Sequence, residues 1–176
     1  MASIDPTEAF IAQARELLRD QYLAKLERCL EQLTDEQVWW RPNEDSNSIG
    51  NLLLHLSGNA RQWIVCSLGG ESDERTRQEE FDERSTIPRL ELLALARKTI
   101  ADVDNVLANF DPTLILKKYP IQGTTASALE AIFHVTEHFS MHTGQIILLT
   151  KMLAEKDLAF YDFASGAPRH TWHEPQ

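Results

Sequence analysis

The sequence has little of what secreted, membrane-spanning or disulfide-linked proteins contain. It has two cysteines in 176 residues, Cys29 and Cys66, and because they form no Cys-x-x-Cys spacing, neither a disulfide framework nor a cysteine metal site is indicated. No stretch approaches the roughly 18 consecutive apolar residues of a membrane span. The first residues also lack the basic and then apolar pattern of a secretion signal. We therefore expect a soluble, cytoplasmic protein whose thiols are reduced and structural.

Basic residues are also few. Lys and Arg number 17 against 27 Asp and Glu, which gives a formal net charge of -10. A negative surface repels phosphate groups instead of collecting them. The sequence therefore predicts neither a nucleic-acid partner nor a membrane partner.

The apolar content is sufficient for one folded domain. Hydrophobic residues make up 43% of the chain, enough to bury a continuous core at this length. No internal repeat, Gly/Ser linker or strand pattern is visible, so we predict one domain over 1–176. Residues from about 156 are expected to form a docked arm and, from about 165, a loose tail that contains His170 and His173.

Four segments have apolar residues at the three- and four-residue steps of an amphipathic helix. Each is bounded by residues typical of helix ends, such as a serine N-cap, a proline or a glycine pair. The predicted helices cover about 7–33, 47–70, 88–110 and 124–153, with Ser127 as another possible cap of the last one. We expect an all-α fold, a four-helix bundle. The charged stretch 71–86 is predicted to be a solvated connection, and 113–123 a loop packed over one end of the bundle.

The fourth predicted helix contains three histidines at intervals of four residues, His134, His138 and His142. Side chains four residues apart lie on one helix face, so two imidazoles there can bind one cation. The apolar stripe of this helix is centred roughly 20° from His142, 60° from His138 and 100° from His134. His138 and His142 therefore face inward, and His134 lies at the edge.

The second predicted helix can supply a third imidazole, because His55 lies on its apolar face. Three histidines and one exchangeable position make the catalytic type of zinc site, whose reactive group would be a metal-bound water or thiolate. Neutral imidazole also suits nickel, copper, iron and cobalt. We expect a divalent transition metal, with zinc and nickel as the leading candidates.

Several alternatives stay open at this point. A histidine on an apolar face is commonly a hydrogen-bonded core residue, so a bundle without metal remains a possible interpretation. Cys66 lies roughly 16 Å along the helix from His55, too far to be a ligand. Four polar side chains near the three histidines could orient a ligand or a substrate, or merely complete the core: Asn59, Gln62, His134 and Gln145.

With these residues placed, the chain resembles the DinB-like, or damage-inducible, superfamily of metal-binding four-helix-bundle proteins, in particular its branch of small uncharacterised bacterial proteins. The matching segments lie between about residues 33 and 152. They are WWRPN at 39–43, NSIGNLLLHL at 47–56, RQEEF at 77–81 and HVTEHFSMHTGQI at 134–146. The last of these segments is the most specific.

The resemblance implies a bundle with an up-down-down-up course, long connections after the first and third helices, and a homodimer. It also implies a histidine triad, which falls on His55, His138 and His142, while His134 matches a frequent histidine that is not usually a ligand. Members with known activities include transferases that join a low-molecular-weight thiol to an electrophile, and a thiol-dependent isomerase.

Three functions follow as hypotheses. The first is a metal-dependent enzyme acting on a small-molecule substrate. Within this class, a thiol-dependent transferase is favoured over a hydrolase. The second is a bundle that binds a metal or ligand without catalysis. The third is a structural bundle with no metal, in which core hydrogen bonds satisfy the histidines.

Overall fold

The computed structural model describes residues 5–173, most of which are helical. Four long helices form the body of the molecule, and two short helices lie in the connections. The helices are α1 (Pro6–Glu16, a π-helical turn at Leu17–Tyr22, and Leu23–Glu31), α2 (Asp35–Trp39), α3 (Ile49–Ala60, continued by π-helical Arg61–Cys66), α4 (Arg77–Asp82), α5 (Arg89–Ala108) and α6 (Ala128–Ala154). Within this part of the chain, no helix is long and apolar enough to cross a membrane.

Two of the long helices begin at serine N-caps, Ser48 and Ser127, the second of which was predicted as a possible cap. Ser48 accepts a hydrogen bond from the amide of Asn51, and the Asn51 side chain bonds back to the Ser48 amide, which closes a capping box. Ser127 and Glu130 form the same arrangement at the start of α6. Because a capping box satisfies two amides that the helix itself leaves free, these residues fix where α3 and α6 start.

Side-chain pairs along the bundle set the relative directions of the long helices. As α1 advances along the chain, its partners in α5 come from earlier positions. The partners of α3 in α6 likewise come from earlier positions as α3 advances, so both pairs run antiparallel. The pairs that show this are Arg15–Asp104, Glu27–Arg97, His55–His138 and Asn59–His134. The core between these helices is aliphatic, with Leu26, Ile64, Ile132 and Val135 fully buried.

The fold is mostly helical, as predicted, but two small hairpins that the all-α prediction did not include accompany the helices. Strands β1 (Lys118–Ile121) and β2 (Thr124–Ser127) pair antiparallel, where sequence analysis predicted a loop and then the start of α6. The turn between them consists of Gln122 and Gly123, both with positive φ. Two such residues form the tight turn whose twist matches that of paired strands. The Gln-Gly pair is a weaker signal of this turn than Asn-Gly.

The second hairpin lies in the segment predicted to be a loose tail from about 165. Strands β3 (Tyr161–Asp162) and β4 (Arg169–His170) pair, and Trp172 is buried. The Trp172 indole donates to the carbonyl of Asp20, in the π-helical turn of α1, at 3.0 Å. This segment is therefore packed against α1 through Trp172, whereas His173 is exposed, and 174–176 lie outside the described residues.

A π-helical turn also changes which face of α3 is buried. Trp63 lies in the π-helical part of α3 and is only partly buried, whereas an unbroken 3.6-residue period counted from the buried Leu56 would place it on the buried face. A turn closed by i to i+5 bonds holds one more residue than an α-helical turn. It therefore rotates the residues that follow it away from the face that a 3.6-residue period predicts.

Candidate metal centre

The structure brings the imidazoles of His55, His138 and His142 together between α3 and α6. One ring nitrogen from each histidine lies within 4.8 Å of the other two, and Nε2 of His55 lies 2.9 Å from Nε2 of His138. His55 is buried, whereas His138 and His142 are partly buried. The antiparallel packing of α3 and α6 is what places one histidine opposite two that are a helical turn apart.

The donor set and its spacing fit a divalent transition metal. Ring nitrogens bound tetrahedrally to zinc at about 2.0–2.1 Å would lie about 3.4 Å apart. The observed separations, 2.9 Å for one pair and at most 4.8 Å for the set, bracket that value. Small side-chain adjustments are enough to reach it. The three-histidine cluster can therefore hold a metal ion, and the donors do not select which one.

Hydrogen bonds at Nδ1 orient two of the three rings. Nδ1 of His55 lies 2.9 Å from Oε2 of Glu80, and Nδ1 of His142 lies 2.7 Å from Oε1 of Gln145. Both partners are oxygens, which accept, so these contacts favour the tautomer in which Nδ1 carries the proton; at His55 the Arg75 NH2 group also lies near Nδ1, but farther away, at 3.2 Å. In both rings Nε2 is then the nitrogen with a free lone pair, which is the form that binds a cation.

Burial keeps the histidines of α6 neutral. It lowers the pKa of His138 to about 3, helped by the neighbouring rings of His142, His55 and His134. Burial also lowers the pKa of His134, and it lowers the pKa of His142 despite the opposing hydrogen bond to Gln145. At neutral pH these imidazoles therefore need no deprotonation before they bind a metal.

The low pKa of His138 predicts a pH dependence for the metal-free protein. The unfolded chain has the ordinary histidine pKa near 6.5, so between that pH and about 3 it binds more protons than the folded chain. The free energy of unfolding should therefore fall as the pH drops below about 6.5. Urea unfolding at pH 7.5 and pH 5, with chelator present, measures this change.

The matched variant for this experiment is His138→Gln, which removes the titrating ring from the cluster. Its unfolding free energy should fall less between the two pH values than that of the wild type, because one fewer buried imidazole takes up a proton on unfolding. An identical fall in both proteins would contradict the assignment of the effect to His138.

The four polar residues that sequence analysis placed near the histidines have different partners. Asn59 Nδ2 lies 3.2 Å from Nε2 of His134, and Gln145 bonds His142. Gln62 bonds Arg75 and Asp73 instead of a histidine. His134 stacks on His138 with the ring centroids 5.3 Å apart.

The inward face of α6 is turned slightly from the predicted one. Phe139 and Thr143 are its buried members at the level of the cluster, whereas the sequence stripe was centred near His142. The histidines therefore lie at the flank of the core, where ring nitrogens can converge while one side stays near solvent.

Sequence analysis missed Arg75 and Glu80 as members of this region. It predicted that 71–86 is a solvated connection, but the Arg75 and Glu80 side chains are only 6% and 11% exposed. Phe81 lies against the His55 ring, with centroids 4.7 Å apart. Burial opposes the charge of Glu80, yet the hydrogen bonds from Arg75 and His55 keep the pKa of its carboxyl below the ordinary value. The segment at 77–81 was noted only as part of a resemblance.

The two cysteines lie outside the cluster. Both are free thiols and buried, as expected for structural residues. Burial raises the pKa of Cys29 to about 11 and also raises the pKa of Cys66. Since the thiolate is the reactive form, neither thiol is prepared to act as a nucleophile.

Two cavities are lined by residues that contact the histidines, but His55, His138 and His142 are not themselves in either lining. One, of about 420 Å³, lies between α3, α5 and the connection that includes Arg75 and Glu80. The other, of about 370 Å³, is lined by residues of 42–52 and by Gln145, the partner of His142. Both volumes fall in the range of small-molecule sites.

The fold is similar to that of a solved DinB-like protein. The chain matches the crystal structure of a DinB-like protein from Bacillus cereus ATCC 10987 with a TM-score of 0.60 and 16% sequence identity, over 75% of this chain and 85% of that one. The predicted resemblance to DinB-like proteins is therefore confirmed for the fold. No curated protein matches the sequence.

A model of a family of uncharacterised proteins matches nearly the whole sequence. Its description is protein of unknown function, DUF1572, and the match covers residues 5–167. That range includes all six helices and the three clustered histidines. The chain belongs to the DUF1572 family.

Proposed function

We propose that the protein binds one divalent transition metal, zinc or nickel, through His55, His138 and His142, and that it uses the metal in catalysis. The observation that carries the proposal is the convergence of three ring nitrogens within 4.8 Å. Three protein ligands leave a coordination position for a substrate, as in catalytic sites. A structural site would instead be closed by a fourth protein ligand.

Within this proposal we assign the reaction to thiol-dependent transfer. When bound, the metal would act as a Lewis acid that lowers the pKa of a coordinated thiol and favours its nucleophilic thiolate. The thiol gives its proton to solvent water, its sulfur forms a bond to an electrophilic carbon of the second substrate, and the leaving group departs from that carbon with the electron pair of the broken bond. No external oxidant or reductant is needed.

The chain's own residues support this assignment in two ways. Glu80 and Gln145 hold the rings of His55 and His142 by their Nδ1 atoms, so two ligands are preorganised before a metal arrives. The 370 Å³ cavity lined by Gln145, whose side chain bonds His142, is large enough for a small thiol. The homodimer expected from the resemblance stays a prediction.

Thiol transfer predicts turnover that depends on both metal and thiol. Protein purified without an affinity tag and loaded with zinc or nickel would be incubated with cysteine, glutathione or coenzyme A and a chromogenic aryl halide. We expect at least one thiol to be consumed faster with the wild type than with a variant in which His55, His138 and His142 are all alanine. Absorbance of the released product measures the rate.

Two results would contradict parts of the proposal separately. Wild-type protein that takes up about one equivalent of metal but consumes no thiol above the triple variant would contradict the transferase assignment and favour metal or ligand binding without catalysis. Wild-type protein that binds no metal would contradict the metal site itself.

A further inference from the structure

We propose that Glu80, held by Arg75, is a positioning residue of the three-histidine site that determines which nitrogen of His55 faces the metal. The inference rests on the proposed metal site and extends it to the charged connection between α3 and α5. It gives a role to a segment that the sequence pattern treats as solvated.

The hydrogen bond between Glu80 and His55 fixes the tautomer of the ring. Oε2 of Glu80 lies 2.9 Å from Nδ1 of His55, and a carboxylate held in its charged form can only accept. NH2 of Arg75, which can only donate, also lies 3.2 Å from Nδ1, but the Glu80 contact is shorter. The arrangement therefore favours the tautomer in which Nδ1 carries the proton and Nε2 keeps its lone pair towards His138. Metal-binding histidines commonly donate their other N–H to a carboxylate in this way, which raises their basicity and fixes the ring.

Arg75 holds the Glu80 carboxylate at both oxygens. Its Nε donates to Oε1 at 2.7 Å and its NH2 donates to Oε2 at 2.8 Å, while NH1 donates to Oε1 of Gln62 at 2.8 Å. Such a two-pronged arginine–carboxylate pair is geometrically specific. The pair is almost fully buried, so the orientation of Glu80 does not depend on a mobile surface side chain.

The backbone of the connection is also anchored on α3. The side chain of Asn51 donates to the carbonyls of Glu80 and Glu83 at 2.8 and 3.2 Å. At Gly58 a side chain would collide with Oε1 of Glu80, so the absence of one lets the Glu80 carboxylate lie against α3. The carboxylate therefore reaches His55 because α4 is docked at these two points.

The test compares two neighbouring carboxylates of α4. Glu80→Gln removes the charge that contacts His55, whereas Glu79→Gln alters an exposed residue whose carboxylate accepts from Thr76. Zinc and nickel affinities would be measured by competition with a chromogenic chelator. We expect Glu80→Gln to bind either metal roughly 10- to 100-fold more weakly, and Glu79→Gln to bind like the wild type.

A double variant separates positioning from a general structural effect. In Glu80→Gln, the Arg75 charge is left unbalanced, with NH2 3.2 Å from Nδ1 of His55. Removing that charge in Arg75→Gln/Glu80→Gln should recover part of the lost affinity, because the two effects are coupled. A loss of packing alone would instead make the double variant bind no better than the single one.

Each outcome has a defined meaning. Equal metal affinity in Glu80→Gln and the wild type, or equal losses in Glu80→Gln and Glu79→Gln, would overturn the inference while leaving the metal site standing. Wild-type protein that binds neither metal would overturn the metal site and this inference together. Circular dichroism and thermal unfolding with chelator present show whether a variant is folded, and Glu80→Asp provides a second, charge-conserving variant if Glu80→Gln is not.

Discussion

Replacing His138 with alanine is expected to leave the protein without bound metal after purification. His138 provides one of three converging nitrogens, and two imidazoles on different helices form a much weaker site. Loss of a residue that only supports a ligand weakens metal binding about 10- to 100-fold, so loss of the ligand itself should weaken it by at least about 100-fold. Elemental analysis of the untagged proteins should show about one equivalent of metal per chain in the wild type and a small fraction of an equivalent in His138→Ala.

The control for this change is His134→Ala. His134 lies one turn before His138 on α6 and its Nε2 contacts Asn59, but it is outside the set of nitrogens that converge. We expect His134→Ala to keep its metal. A full equivalent of metal in His138→Ala, or an equal loss in both variants, would show that the cluster does not bind as the geometry indicates.

The second large effect is expected on stability, at Arg28. This arginine is 4% exposed and binds the C-terminal segment to α1. Its NH1 donates to the carbonyls of Leu158 and Ala159 at 3.3 and 2.8 Å, and its NH2 donates to the carbonyl of Thr171. Truncation to alanine leaves these carbonyls without that donor and opens a cavity. We expect the free energy of unfolding to fall by about 3–5 kcal/mol.

Urea unfolding of Arg28→Ala and of Arg19→Ala measures this loss against a matched control. Arg19 is on the same helix, but its partners Asp20 and Asp104 form exposed ion pairs with it. Exposed pairs contribute at most about 1 kcal/mol. A loss below that level in Arg28→Ala would mean that the C-terminal segment is not held through this residue.

Sequence periodicity and caps were enough to predict the long helices. Ser48 and Ser127 each stand just before an apolar run with a suitable partner three residues later, and this local chemistry decides where α3 and α6 begin. The same 3.6-residue helical period predicted that His138 and His142 lie on one inward face of α6. His55 and the pair on α6 could be connected because only one histidine lies on the apolar face of α3.

The positions of Glu80, Trp172 and Trp63 depend on tertiary contacts, which a local sequence pattern does not predict. Glu80 is one carboxylate in a run of charges, and only the docking of α4 at Gly58 distinguishes it from Glu79. Trp172 is buried because a carbonyl in the π-helical turn of α1 accepts its indole hydrogen. Neither π-helical turn has a composition that separates it from ordinary helix, so the rotation at Trp63 could not be predicted either.

The distance along the chain between the clustered histidines has a thermodynamic consequence. His55 and His138 are 83 residues apart in sequence, so an ion that ties them together closes a long loop, much as a covalent cross-link does. Closing a loop of this length costs an unfolded chain much conformational entropy, so the unfolded chain holds the ion only weakly. Because the denatured chain seldom brings these rings together, the ion would bind the native state preferentially and would raise the free energy of unfolding.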